Sequence, residues 1–401
     1  MGALDGIKVI DLSHVLAAPF ATMIMADLGA EVIKVEPPFG DDSRQFGPFV
    51  EDEAGEQQSG YFISINRNKK SIVLNLKEEK GKEILRDLIS DADVVVENYR
   101  PTTMKKLGFS YEEMKKIKED IIYCSICGFG HDALEEYASK PAYDMVAQAY
   151  SGLMSITGPE GGEPCRVGSS IGDIMAGHQA VIGILSALRY RDRTGKGQHV
   201  DMSMVDGLVS VLENAVARYT MDGEIPGPLG GAHPTIVPFQ SFKTKDNYIV
   251  TPIGNDSLWK KFCDALEMPE LADDERFKTN PLRAENKDEL IPILAKRIKE
   301  KNTTEWEEIF EEYGLPYSPV NTVDKVVEDD NLKYRDMIVD LDQPGIGKVK
   351  VAGSPFHLSE TPGEIKSHAP AKGEHTESVL KDSLGLTDAQ IKEMKSQGII
   401  G

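Results

Sequence analysis

Along the first half of the chain, short apolar runs of strand length alternate with longer stretches in which apolar positions recur every three or four residues. Residues 7–12 (IKVIDL) read as a strand, 18–28 as a helix stopped by Gly29, and 31–36 (EVIKVE) as a second strand. So short a return from helix to apolar strand is the mark of a parallel βαβ unit. Strand 72–76, helix 77–88, strand 93–99 and strand 121–127 continue the alternation, while the polar, glycine-rich stretch 41–60 reads as a surface loop. Glycines and prolines between 152 and 168 suggest a hairpin and loop. Residues 178–190 (HQAVIGILSALRY) then carry Val181, Ile182, Ile184, Leu185 and Leu188, the pattern of a largely buried helix. A turn at 192–198 and a strand at 199–204 follow.

The pattern changes at 221–238, which is rich in glycine and proline and reads as a linker and domain boundary. Beyond it lies a smaller α+β region. Helix 257–266 carries Leu258, Trp259, Phe262 and Leu266, and a second helix opens on a Thr304-x-x-Glu307 capping box. On that helix Trp306, Ile309, Phe310 and Tyr313 form a core stripe, and Gly314 ends it. A strand is expected near 347–351. The last helix has Thr387 as N-cap with Gln390 as its box partner, Leu386 and Ile391 as a staple, and Gly398 as its stop.

Composition narrows the class. A chain of 401 residues is long for one core and suggests two domains; 40% hydrophobic and 28% charged residues are those of a globular protein. No apolar run of bilayer-spanning length is expected, and the start of the chain has neither a basic n-region nor an apolar h-region, so a cytoplasmic location is expected. The formal net charge of −21 argues against nucleic acid or anionic membrane as partners, both of which need a basic surface. Small anions remain open, since a local cluster of Lys and Arg suffices for them. Four cysteines make no disulfide framework. Cys124 and Cys127 fall on one strand, where residues three apart face opposite ways, so a structural pair is expected rather than a redox or metal site.

The candidate chemistry centres on Asp173, at or near the start of the 178–190 helix. Unpaired N–H groups and the helix dipole favour a charged carboxylate there, and Gly172 with Ser169-Ser170 leaves room for a substrate. The alternative is a simple helix cap. The first loop, 13–19 (SHVLAAP), holds no glycine, which argues against a nicotinamide or flavin enzyme. Basic residues at 66–71 (NRNKKS) and Arg100 sit at loop ends beside strands, positions suited to phosphate.

Taken together, several motifs resemble the class III CoA-transferases of the CaiB/BaiF type, which include formyl-CoA transferase and the carnitine CoA-transferases. They are 4–11 (LDGIKVID), 27–36 (DLGAEVIKVE), 68–71 (NKKS), 97–101 (ENYRP), Gly172-Asp173, 194–198 (TGKGQ) and 373–376 (GEHT), in the expected order along the chain. The resemblance implies an α/β fold: a Rossmann-like large domain built from both chain ends, 1–220 and 329–401, a smaller α+β domain at 221–328, and an interlocked, ring-like homodimer. It implies CoA transfer from an acyl-CoA to a small or medium carboxylic acid, with coenzyme A as substrate and no permanently bound cofactor or metal. Asp173 would attack the thioester, and CoA thiolate would capture the mixed anhydride as an aspartyl-CoA thioester. Matching CoA-contact positions are Ala17, Leu74, Lys77, Asn98, Arg100, Lys106, Tyr143 and Met204. Gly230-Gly231 corresponds to a glycine loop that would hold an oxyanion. Leu16 stands where formyl-CoA transferase has glutamine, which argues against an oxalate or formate specialist; Pro37 stands for an arginine that Arg44 would replace. Leu16, Phe39, Phe46 and Tyr61 would make the acyl pocket apolar. An α-methylacyl-CoA racemase is the nearest competing reading. It needs a histidine where this chain has Tyr143-Asp144, and the pKa of a tyrosine, near ~10, suits proton exchange poorly. A CoA-binding protein without catalysis is a third reading.

Overall fold

The computed structural model describes residues 1–401 and divides into two compact units, one of residues 1–153, 166–217 and 329–401, the other of 154–165 and 218–328. The stretch 154–165, which the sequence placed with the large domain, thus packs with the second unit.

The first unit is mixed α/β around a parallel six-stranded sheet. Strands Lys69–Val73, Glu31–Glu36, Lys8–Asp11, Val94–Glu97, Ile122–Cys127 and His199–Ser203 lie side by side in that order. Numbered along the chain this is 3-2-1-4-5-6, the doubly wound arrangement whose strand order reverses beside the first strand. The strand following helix Gly60–Asn66 starts at Lys69, three residues before the expected 72, because the run read as a basic loop forms strand instead. The 41–60 stretch is more ordered than its composition suggests: a turn of 3₁₀ helix at Asp42–Gln45 and a hairpin of Phe49–Glu51 with Gln57–Ser59. From the far end of the chain, Val379, Leu380, Ile391, Met394, Ile399 and Ile400 enter the same core as Ile10, Ile33, Ile72 and Val95. The Ile399 carbonyl accepts the Asn75 N–H at 2.8 Å.

The helix expected at 178–190 runs over Ile171–Thr194. Its glycines, which propensity alone would place outside a helix, permit close packing: a Cβ on Gly177 would lie 2.8 Å from the Ala17 carbonyl oxygen, and one on Gly183 would lie 2.7 Å from a Val200 methyl. Contrary to the sequence expectation, this helix is long and apolar enough to cross a membrane by length and composition. Its inner face, with Ala176, Ala180, Ile184 and Leu188 buried, packs instead against the sheet unit's core, while Ile182 and Leu185 face outward.

The second unit holds antiparallel strands Phe239–Lys243 and Tyr248–Pro252 and a helical core around Trp259, Phe262, Trp306 and Phe310. Its capping box is two residues earlier than expected: Asn302 caps helix Thr303–Glu312, with Glu305 as partner. The last helix begins at the expected box of Thr387 and Gln390.

Candidate active site

Open parallel sheets bind ligands off the carboxyl ends of their strands, at the point where the strand order reverses. Here the loops after Lys8–Asp11 and Val94–Glu97 emerge side by side. The first loop does without glycine because side chains pin its backbone. Asp11 Oδ1 accepts the Ser13 N–H at 2.9 Å, Lys34 Nζ donates to the Ser13 carbonyl at 2.8 Å, and Asp41 Oδ1 accepts the Val15 N–H at 3.1 Å. Asn98 grips His14 twice: its Oδ1 accepts the His14 N–H at 2.9 Å and its Nδ2 donates to the His14 carbonyl at 2.8 Å. These contacts hold Val15 at φ +65°, a region that β-branched residues rarely enter. Lys34 and Asp41 form a fully buried pair at 2.7 Å. Burial alone would raise the Asp11 carboxyl, but Lys69 and Lys34 outweigh it and hold it below the usual range.

A cavity of about 350 Å³ lies between these loops and the start of helix Ile171–Thr194. Ala17, Asn98, Arg100, Tyr143, Met204 and Asp173 all line it. Leu74 and Lys77 line an adjoining, mostly apolar cavity of about 450 Å³, which shares His14 and Tyr99 with the first. Leu16 lines the first cavity and clusters with Tyr61, whose ring meets Phe46 edge-on at 5.7 Å; Phe39 lies on the second. Lys106 is exposed and lines neither. Since both polar ends of Asn98 are spent on His14, it acts as a clamp on the loop.

Three expectations need correction. Arg44 replaces no ligand-binding arginine: it forms a two-pronged pair with Glu36 at 2.8 and 2.7 Å, bonds the Pro370 carbonyl at 3.1 Å and lies over the Phe62 ring. The basic run at 66–71 is likewise committed, since Arg67 pairs with buried Asp27 at 2.7 Å, Lys69 with buried Asp11 at 3.1 Å and Lys70 with Glu31 at 2.6 Å. Gly230 donates its N–H to the Gly158 carbonyl at 2.8 Å, within the second unit, so that N–H is not free for an oxyanion. Gly231 itself is required by close packing, because a Cβ would lie 2.3 Å from Ser241 Oγ. Among the cavity residues that escaped the sequence reading are His14, Tyr99 and Lys140. His14 has a buried, unpartnered Nδ1 and lies 5.1 Å from the Tyr99 ring, and Lys140 sits at the cavity over the Tyr137 ring. The polar run before the helix gave no hint of Lys140, and His14 and Tyr99 resemble packing residues.

Asp173 is the third residue of its helix, after Ser170 at the cap position, and is the sole acidic side chain in the cavity wall. It is not the helix cap. The Gly172 N–H goes to Asp144 Oδ1 at 2.8 Å. Nor is Asp173 held ionised by the helix end, as the sequence suggested. Burial, reinforced by the Asp144 carboxylate, pushes it up to about 7. Cys127 lines the same cavity, and burial pushes its thiol up to about 12, so it presents no thiolate.

The sequence profile of CoA-transferase family III matches residues 4–376. The chain belongs to that family. It is 41% identical to human succinyl-CoA:glutarate CoA-transferase, over 99% of this chain and 90% of that one. To the acetyl-CoA:oxalate CoA-transferase of Acetobacter aceti it is 42% identical, over 91% and 93% of the two chains. The crystal structure of a CAIB/BAIF family protein from Brucella suis superposes with a TM-score of 0.85 at 39% identity, covering 95% of this chain and 99% of that one. CoA transfer between an acyl-CoA and a carboxylic acid, expected from the motifs, is the activity of this CoA-transferase, and CoA thioesters are its substrates. The racemase and non-catalytic readings are set aside.

Proposed function

We propose that this CoA-transferase works by covalent catalysis on Asp173. The observation that carries the reading is the placement of one carboxylate, without a hydrogen-bond donor or cation of its own, in the wall of a cavity shared with Arg100, Tyr143 and Met204. In its ionised form Asp173 attacks the thioester carbonyl; a C–O bond forms, the C–S bond breaks and CoA leaves as thiolate. The thiolate then attacks the aspartyl carbonyl of the mixed anhydride, forming the aspartyl-CoA thioester and releasing the donor acid as carboxylate. An acceptor carboxylate repeats the two steps in reverse, so Asp173 is regenerated and neither oxidant nor net proton is needed.

CoA fits across the two adjoining cavities, its thiol end beside Asp173 and its nucleotide end toward Leu74 and Lys77, with Arg100 and Lys140 near the phosphates. The acceptor is a short dicarboxylic acid, a reading supported by the names of the human and Acetobacter relatives. We further propose the interlocked homodimer. The outward faces of helices Asp144–Tyr150 and Ile171–Thr194 expose Met145, Val146, Tyr150 and Ile182, an apolar surface that a second copy would cover. A matrix of acyl-CoA donors against mono- and dicarboxylic acids, read by mass spectrometry, tests the reading. Exchange among dicarboxylates in the wild type, abolished in Asp173→Ala, is expected; undiminished exchange in Asp173→Ala overturns it.

A further inference from the structure

Asp144 is buried at the start of helix Asp144–Tyr150, and the mechanism above gives it no task. Its Oδ1 accepts the N–H of Gly172, the residue before the nucleophile. Its Oδ2 accepts Gln148 Nε2 at 2.8 Å, and Gln148 Oε1 in turn accepts the Val167 N–H at 2.9 Å. The segment 167–172 is therefore anchored at both ends through one carboxylate and one amide. Glycine at 172 is what lets Asp144 come so near, for a Cβ there would lie 3.0 Å from Oδ1 and 3.3 Å from Leu208 Cδ1.

An N–H in the first turn of a helix is a donor that a nearby carboxylate would ordinarily use. Asp144 has taken this one. Resting on the reading of Asp173 as nucleophile, we propose that Asp144 is a positioning residue that withholds the Gly172 N–H from Asp173 and sets a second carboxylate beside it, favouring the covalent intermediates over the free nucleophile. The reasoning is electrostatic. Free Asp173 is an anion next to an anion, whereas the anhydride and the thioester of Asp173 are neutral, so bond formation relieves the repulsion. A carboxylate deprived of donors is also more basic and a better nucleophile.

The other ionisable groups facing Asp173 leave this pair isolated. Tyr61, on helix Gly60–Asn66, is pushed up to about 12 by its own burial and by Asp173, so it stays protonated. Burial lowers both His14 on the first loop and His178 on the nucleophile's own helix. Tyr99, which burial pushes up to about 12, together with Arg100, Lys140 and Tyr143, completes the charged and phenolic groups around the cavity.

The test is rapid-quench formation of the enzyme-bound thioester from acyl-CoA across pH. Asp144→Asn keeps an oxygen for Gly172 but removes the charge. Expected are a pH midpoint lower by one unit or more, an adduct fraction at equilibrium lower by about tenfold, and an unchanged KM for acyl-CoA. Asp144→Glu should restore the midpoint. Gln148→Leu breaks the anchor without touching the charge, so it should slow the reaction and leave the midpoint in place. A slower Asp144→Asn enzyme whose midpoint and adduct fraction match the wild type overturns the proposal. Adduct formation in Asp173→Ala would instead overturn the nucleophile reading, whatever Asp144 does.

Discussion

Asp173→Asn removes one ionisable group from the cavity wall, and the structure fixes both signs of its effect. The carboxyl is moved from 3.8 to about 7, chiefly by burial and then by Asp144. Between these values the folded protein holds a proton that the unfolded chain has lost, so wild-type stability falls as pH rises through this window. The loss is complete only above about 7. At about 1.36 kcal/mol per pH unit, the whole cost is at most about 4 kcal/mol, and the part developed between pH ~5 and pH ~8 is about 2–3 kcal/mol. Asparagine pays none of it. Urea unfolding of wild type and variant should therefore show Asp173→Asn gaining about 2–3 kcal/mol more at pH ~8 than at pH ~5. Comparing the two proteins cancels groups common to both, including buried Glu97, which burial also pushes up to about 7. CoA transfer should be lost throughout. In the wild type, thioester attack should rise with pH and level off above about 7, where the nucleophile is ionised. An equal stability difference at both pH values, or an attack rate already level at pH ~5, would refute the reasoning.

Asn98→Ala removes both hydrogen bonds to the His14 backbone. With bonds worth about 1 kcal/mol each, the KM for acyl-CoA should rise on the order of tenfold with kcat little changed, and amide exchange at His14 and Val15 should accelerate. Unchanged exchange there would remove the clamp from the account. Arg44→Ala and Arg100→Ala should separate cleanly. Losing Arg44 takes from buried Glu36 its guanidinium, leaving only the Ser71 hydroxyl and the Asp41 N–H as donors, and should lower stability by about 2–4 kcal/mol with the KM of the folded enzyme unaltered; losing Arg100, exposed at the cavity, should raise KM without moving the unfolding midpoint. The reverse pattern would return Arg44 to the ligand.

The sheet could be read from the sequence because its central strands are short runs buried on both faces, such as Val94, Val95 and Val96, bounded by polar turns. The Asp173 helix was under-read, since Gly172, Gly177 and Gly183 signal a break unless the partner helix and strand that need their missing side chains are known. The basic run at 66–71 misled for a related reason: whether a lysine meets solvent or a buried carboxylate depends on a strand 58 residues away, as Lys69 and Asp11 illustrate. Ala17, Asn98, Arg100, Tyr143, Met204 and Asp173 came from the family resemblance, whereas His14, Tyr99, Lys140 and the contact of Asp144 with Gly172 came only from the three-dimensional arrangement. The helix dipole drew attention to Asp173 but misjudged its charge, because burial and Asp144 raise it and the Gly172 N–H is already given away.

The central claim is that CoA passes through a covalent bond to Asp173. The most direct measurement is intact-protein and peptide mass spectrometry after brief exposure of the enzyme to an acyl-CoA donor without acceptor, with and without hydroxylamine. A CoA adduct confined to the peptide carrying Asp173, replaced by a hydroxamate at that residue on hydroxylamine treatment and absent in Asp173→Ala, is predicted. A fully active enzyme that yields neither adduct nor hydroxamate, or that carries them on another residue, would contradict the account.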